Sequence, residues 1–119
     1  MNNPSLDPFN QYFQIVQALT GPLKKASYQL RYQVYCLEAN ILDSQQFSGG
    51  LEMDDYDCRS VHYLIRHRAS GEYVATTLLI LPYTSDLEQP FQLEAYCKIN
   101  DYAPVKIANR AQLAEASRF

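Results

Sequence analysis

Apolar side chains recur at Leu23, Ala26, Leu30, Val34 and Leu37, a three-to-four-residue rhythm that predicts an amphipathic helix. Thr20-Gly21-Pro22 stands at its head. A threonine hydroxyl there can accept one of the orphan N–H groups of the first turn, and proline has no N–H to waste at that position. Arg31 and Tyr35 lie four apart on this helix, so they share one flank and are placed to line a cleft together. Ahead of it, the stretch Phe13 to Leu19 admits two readings. Positions 13, 15 and 19 suit a first strand, whereas 9, 12, 13, 16 and 19 lie on one face of a short helix beginning at Asp7-Pro8. The pattern leaves both open, behind a polar, proline-bearing lead-in over residues 1–11.

Residues 41–51 read as a loop broken at Ser48-Gly49-Gly50. Val61, Tyr63 and Ile65 then alternate with His62, Leu64 and Arg66. Ala69-Ser70-Gly71-Glu72 supplies a turn, and Tyr73 to Leu81 forms the second arm of a hairpin. The run from Thr77 to Leu81 is almost continuously apolar, which suits a central strand, and Pro82 ends it. Residues 83–112, with Pro90 and Pro104, are expected to hold one or two short helices, and Leu113 to Phe119 reads as the first half of another strand. Strand, helix, loop, hairpin, irregular segment and strand together predict an α+β (mixed α/β) class.

Composition narrows the function. One domain fits 119 residues, and 47% apolar content is globular, with no run approaching a membrane span. Asn2, Asn3, Pro4 and Ser5 are polar and uncharged, so no secretory leader is expected. A net charge of −3 and a pI near 5.2 offer neither a footprint for nucleic acid nor a polybasic membrane patch. Cys36, Cys58 and Cys97 are odd in number and widely spaced, which fits a reducing cytoplasm better than a disulfide framework.

The candidate chemistry lies where Glu52, Asp54 and Asp57 run into the strand that begins near Ser60. Carboxylates at a strand mouth are costly to leave unpaired, so they hold a cation or an arginine. Arg31 lies upstream, and Glu115 and Arg118 close the chain as another acid–base pair. A metal is not expected. Cys58 and His62 point the same way on a strand but His67 points opposite to His62, and the acid run lacks the central glycine and terminal glutamate of a calcium loop. Any one of these segments alone reads as solvated surface.

Taken together and in this order, Leu30-Arg31-Tyr32-Gln33-Val34-Tyr35, Glu52 to Ile65 and Glu115 to Phe119 resemble the acyl-homoserine-lactone (autoinducer) synthases. They look closer still to the acyltransferases associated with the exosortase/PEP-CTERM system of bacteria, where Ser60-Val61-His62 has its counterpart. Both groups belong to the GNAT-like acyl-CoA N-acyltransferase superfamily. The resemblance spans Phe13 to Phe119. It favours the strand over the helix at Phe13, and implies a central, mostly antiparallel sheet with flanking helices.

It also implies a cytoplasmic enzyme that moves a fatty acyl group from acyl carrier protein or acyl-CoA to an amine of a small amino-acid-like acceptor, with no tightly bound cofactor. On this resemblance Glu115 is the first candidate for general base and Glu52 the second. Arg31, Tyr35, Asp54, Asp57 and Arg118 shape the acceptor cleft, with the arginines fixing carboxylates through bidentate contacts. Two departures stand out. Leu78 and Leu79 occupy the region where relatives carry an arginine, and Ile41 stands where autoinducer synthases carry a tryptophan, which argues against a homoserine-lactone product. Gly21, Gly49, Gly50 and Gly71 form no phosphate loop, so the donor half of the site is expected to lie outside this sequence. The chain then reads as the N-terminal portion of such a domain, completed by further sequence or by a second chain that extends the sheet. The alternative is a non-catalytic remnant or binding module that keeps the acceptor-side half-site.

Overall fold

The computed structural model describes residues 7–97 and 107–118. Both readings of the N-terminal segment are realised in succession: a helix, α1 (Asp7–Tyr12), runs straight into a strand, β1 (Phe13–Gln17). The expected lead-in thus narrows, because its last residues are helical. Arg68 fixes this junction, donating through Nε to the carbonyls of Asn10 at 2.8 Å and Phe13 at 3.2 Å, where a cation meets the negative end of the short helix.

Helix α2 (Gly21–Arg31) begins as expected, with Thr20 in extended backbone and its Oγ1 accepting the Leu23 N–H at 3.4 Å. That bond is long and exposed, so Thr20→Ala is expected to cost only about 0.5–1 kcal/mol, read from the shift of the urea midpoint. A loss above about 2 kcal/mol would contradict this capping role.

The face that α2 buries is not the apolar one. Ser27 and Arg31 are buried, whereas Leu23, Ala26 and Leu30 are only partly so. Ser27 packs because its hydroxyl meets the Thr76 hydroxyl of the sheet at 2.7 Å, and Arg31 because acids wait for it. Beyond Arg31 the helix widens into a π-helical stretch, Tyr32–Glu38. The wider turn shifts the register, so Cys36 goes inside and Leu37 turns to solvent.

The sheet contains β1, β2 (Ser60–His67), β3 (Tyr73–Ile80) and β4 (Glu115–Ser117), in that spatial order and antiparallel throughout. The fold is therefore a mixed α/β arrangement with a central antiparallel sheet flanked by helices. Register pairs His62 with Leu78 and Leu78 with Ser117, so these residues share the face on which α2 packs. Gly71, at φ 74°, makes the β2–β3 turn, a left-handed position that glycine adopts without steric cost. Among the described residues of 83–112 the expected short helices are 3₁₀ segments, Gln92–Ala95 of about one turn and Ile107–Gln112 of about two; Pro104 lies outside the described residues. Glu94 and Arg110 tie the two segments together at 2.5 Å, and Phe91 seals Leu78 and Ile80.

The interior is unusual in content. Ala18, Cys36, Leu64, Leu78, Ile80 and Phe91 are its buried apolar residues, but Ser27, Arg31, Glu52, Asp57 and His62 are buried beside them. Three of those five carry charge, and charges are buried only when paired.

Candidate active site

Arg31 stands at the last turn of α2 and points under the loop that precedes β2. Its Nη1 donates to Asp57 Oδ1 at 2.6 Å, and its Nη2 donates to Glu52 Oε2 at 2.6 Å and to Asp57 Oδ2 at 3.2 Å. Burial alone would lower the Arg31 pKa, but the hydrogen bonds and charges of Asp57 and Glu52 outweigh it and raise the pKa, so the guanidinium stays charged. The Glu52 N–H donates to the Tyr28 carbonyl at 3.1 Å, which docks the loop on α2.

The second oxygen of Glu52 accepts Arg118 Nε at 2.6 Å. Arg118 has φ 59°, left-handed backbone that costs a non-glycine residue about 1–2 kcal/mol. The turn it makes directly after β4 lets its guanidinium reach back across the sheet. Arg118 Nη2 also meets Asp54 Oδ2 at 3.3 Å, and the guanidinium lies 5.5 Å from the Tyr35 ring centroid. The loop is held by its own acids: Asp57 Oδ2 accepts the Asp54 N–H at 2.7 Å, and Asp54 Oδ1 accepts the Tyr56 N–H at 2.9 Å. Short acidic side chains make such turns readily.

Arg31, Glu52, Asp54, Asp57, Arg118 and Tyr35 thus converge. Glu115 does not join them. It sits on β4 opposite Ile80, and both its oxygens accept the Leu93 N–H, at 3.1 and 3.2 Å. Nor does an arginine stand at Leu78, which is buried in the apolar cluster.

Oxygens of Glu52, Asp54 and Asp57 come within 4.8 Å of one another, close enough to share a metal ion. Both Glu52 oxygens and one Asp57 oxygen already hold guanidinium donors at 2.6 Å, so a divalent cation would have to displace both arginines. Arg31 and Arg118 are the cations that offset the repulsion among these acids.

His62 closes the network from β2. The Asp57 carbonyl can only accept, so Nε2 carries the proton in the 3.3 Å contact between them, and the ring meets Tyr28 edge-on at 5.5 Å. Nδ1 is buried without a hydrogen-bond partner among the described residues. Burial holds the His62 pKa below its ordinary 6.5, against the Asp57 contacts that raise it. A lowered folded-state pKa means stability that is present above 6.5 and lost as the pH falls through the folded value. The urea midpoint should therefore drop between about pH 7 and 5, and His62→Phe should flatten that limb. An equally steep limb in the variant would assign the drop to other groups.

Beside the network lies a cleft of about 480 Å³, bounded by Lys24 and Tyr28 of α2, by Asp54, Asp57 and Cys58, and by Tyr83 after β3. A more apolar cavity of about 180 Å³ lies on the other side, lined by Leu30, Val34, Tyr35, Val74 and Arg118. Sequence reasoning missed Tyr28, Lys24 and Tyr83. The signal for Tyr28 was its position three residues before Arg31, on the same flank of α2.

Residues 30–119 match the acetyltransferase (GNAT) domain, and the chain belongs to that family. Acyl transfer is the general activity of this superfamily, with donors of the acyl-CoA type. No curated protein and no solved structure matches the chain. Among the described residues, no helix is long and apolar enough to cross a membrane.

Proposed function

We propose that this chain forms the acceptor side of an N-acyltransferase, which moves a fatty acyl group from acyl carrier protein or acyl-CoA to the amine of a small amino-acid-like acceptor. The observation that carries the reading is the continuous chain Asp57–Arg31–Glu52–Arg118–Asp54, buried at one end and opening at the other into a cleft. Attack of an amine on a thioester needs the two substrates held together, a proton removed from the amine and the oxyanion stabilised. An acid-lined cleft beside a fixed guanidinium suits the amine. The apolar cavity under Arg118 and Tyr35 suits the start of an acyl chain. Arg31 and Arg118 orient the carboxylates, and Glu52 braces them.

Ile41 favours the exosortase-associated branch over a homoserine-lactone synthase, whereas Leu78 departs from the arginine of the relatives in general. Ile41 is largely exposed, and Leu78 is sealed beneath Phe91, so neither position supplies an aromatic or cationic wall to the cleft. The outer edge of β4 has no partner strand among the described residues, and further sequence or a second chain would extend the sheet there.

The test is to incubate the purified protein, together with the sequence or second chain that completes its donor side, with acyl-CoA or acyl carrier protein thioesters and a panel of amino-acid-derived amines, reading products by mass spectrometry. An N-acyl amide that needs both substrates is the expected result. Acceptor binding without amide supports the binding-module alternative, and thioester hydrolysis without amide overturns the acyltransferase reading.

A further inference from the structure

The carboxylates of the network differ in what their oxygens are free to do. Glu52 is 1% exposed, and each of its oxygens holds a guanidinium at 2.6 Å. Asp57 is 4% exposed, with Oδ1 on Arg31 at 2.6 Å and Oδ2 shared between Arg31 and the Asp54 N–H. Glu115 gives both oxygens to the Leu93 N–H. Asp54 stands apart. It is 32% exposed, it lines the cleft of about 480 Å³, and its contact to Arg118 is 3.3 Å, long for a charge-assisted hydrogen bond.

We propose that Asp54, rather than Glu115 or Glu52, is the carboxylate that takes the proton from the attacking amine, and that the acceptor enters by the cleft Asp54 lines. This rests on the acyltransferase reading above. The neutral amine's lone pair attacks the thioester carbonyl carbon, forming the C–N bond as the carbonyl π electrons move to oxygen. The nitrogen, now carrying the positive charge, gives one proton to Asp54 Oδ2. The carbonyl re-forms, the C–S bond breaks, and the departing thiolate takes the proton from Asp54. One amide and one thiol result, with the carboxylate restored.

The surroundings suit this role. Burial, and then the charge of Asp57 behind it, raise the Asp54 pKa, which moves it toward that of an amine and eases the transfer. The Tyr56 N–H, Arg118 and Arg31 oppose that rise. Lys24 and Tyr28 face the cleft from α2, Tyr83 from beyond β3, and Asp55 and Cys58 from the loop itself. Glu52 acts through Arg118 and is a positioning residue in this scheme.

Asp54→Asn keeps the oxygen that accepts the Tyr56 N–H, so the loop is retained while proton acceptance is lost. Amine-dependent transfer by D54N should fall at least about a hundredfold, with circular dichroism unchanged and the acid limb of the pH–rate profile lost. Asp54→Glu should recover part of the rate. In the ¹³C-carboxyl NMR spectrum, ethylamine hydrochloride should displace the Asp54 signal saturably in the parent protein and leave Glu115 unmoved. A D54N protein that transfers at the parent rate, or an ethylamine shift that falls on Glu115, overturns the proposal alone. A parent protein that transfers to no amine overturns the acyltransferase reading, and this step with it.

Discussion

Arg31→Met is expected to destabilise the protein by about 3–5 kcal/mol, enough to consume most of the stability of an ordinary small domain. The methionine fills much of the arginine's space, so little of this loss comes from a void. It comes from Glu52 and Asp57, left buried and negatively charged with no guanidinium between them. Arg118 would remain bound to Glu52, but Asp57 would keep the Asp54 N–H and the more distant His62. The penalty measures a broken pair and not the net worth of an intact one. Replacing Arg31, Glu52 and Asp57 together with Met, Leu and Leu should recover part of the loss, because Arg118 is then the one charge of the network to lose a partner, and it keeps Asp54. Urea unfolding of both variants checks this. A cost below about 1 kcal/mol for Arg31→Met would mean the charges are hydrated and the network is not an interior one.

Glu52→Gln is expected to cost about 3 kcal/mol and to disturb the cleft as well. Glu52 is the one acid that touches both arginines, each at 2.6 Å. An amide keeps one acceptor but turns an N–H₂ group toward the other guanidinium, so one arginine must give way. Arg31 retains bidentate Asp57, whereas Arg118 retains long contacts with Asp54 at 3.3 Å and Ser117 Oγ at 3.5 Å, and the Tyr35 ring. Arg118 is therefore the one that moves. Stability should fall, and amine-dependent transfer should fall with it even where the variant remains folded. Lost stability with transfer intact would separate the buried network from the cleft.

The two variants show which parts of the site were legible in the sequence. Charged residues in a chain patterned for a core are conspicuous, and the cost of leaving Glu52, Asp54 and Asp57 unpaired already required a cation or an arginine nearby. Arg31 and Arg118 supply it. The direction of the helix was less legible. Periodicity places Leu30, Val34 and Leu37 on the buried face of one continuous helix, but the strongest anchor of α2 is a salt bridge, and it rotates Arg31 inward instead. The π-helical widening after Arg31 then exposes Leu37 and buries Cys36, a register change that a fixed 3.6-residue period does not contain.

Glu115 and Arg118 separate for a similar local reason. They lie three apart, an odd spacing that in a straight strand puts them on opposite faces. The left-handed turn at Arg118 sends its guanidinium to Glu52 while Glu115 stays with the 3₁₀ turn that starts at Gln92. A positive φ at arginine has no signature in composition or periodicity. The strand pairing was the easiest part to read, since the alternation about His62 and the glycine turn at Gly71 reflect backbone geometry alone.

Arg31 and Glu52 form a buried pair that holds the loop lining the cleft against α2. A double-mutant cycle on unfolding free energy, using Arg31→Met, Glu52→Gln and the combined variant, tests it most directly. The predicted coupling is about 2–3 kcal/mol, with the combined variant well short of the sum of the single losses. Losses that add within about 0.5 kcal/mol would contradict the account.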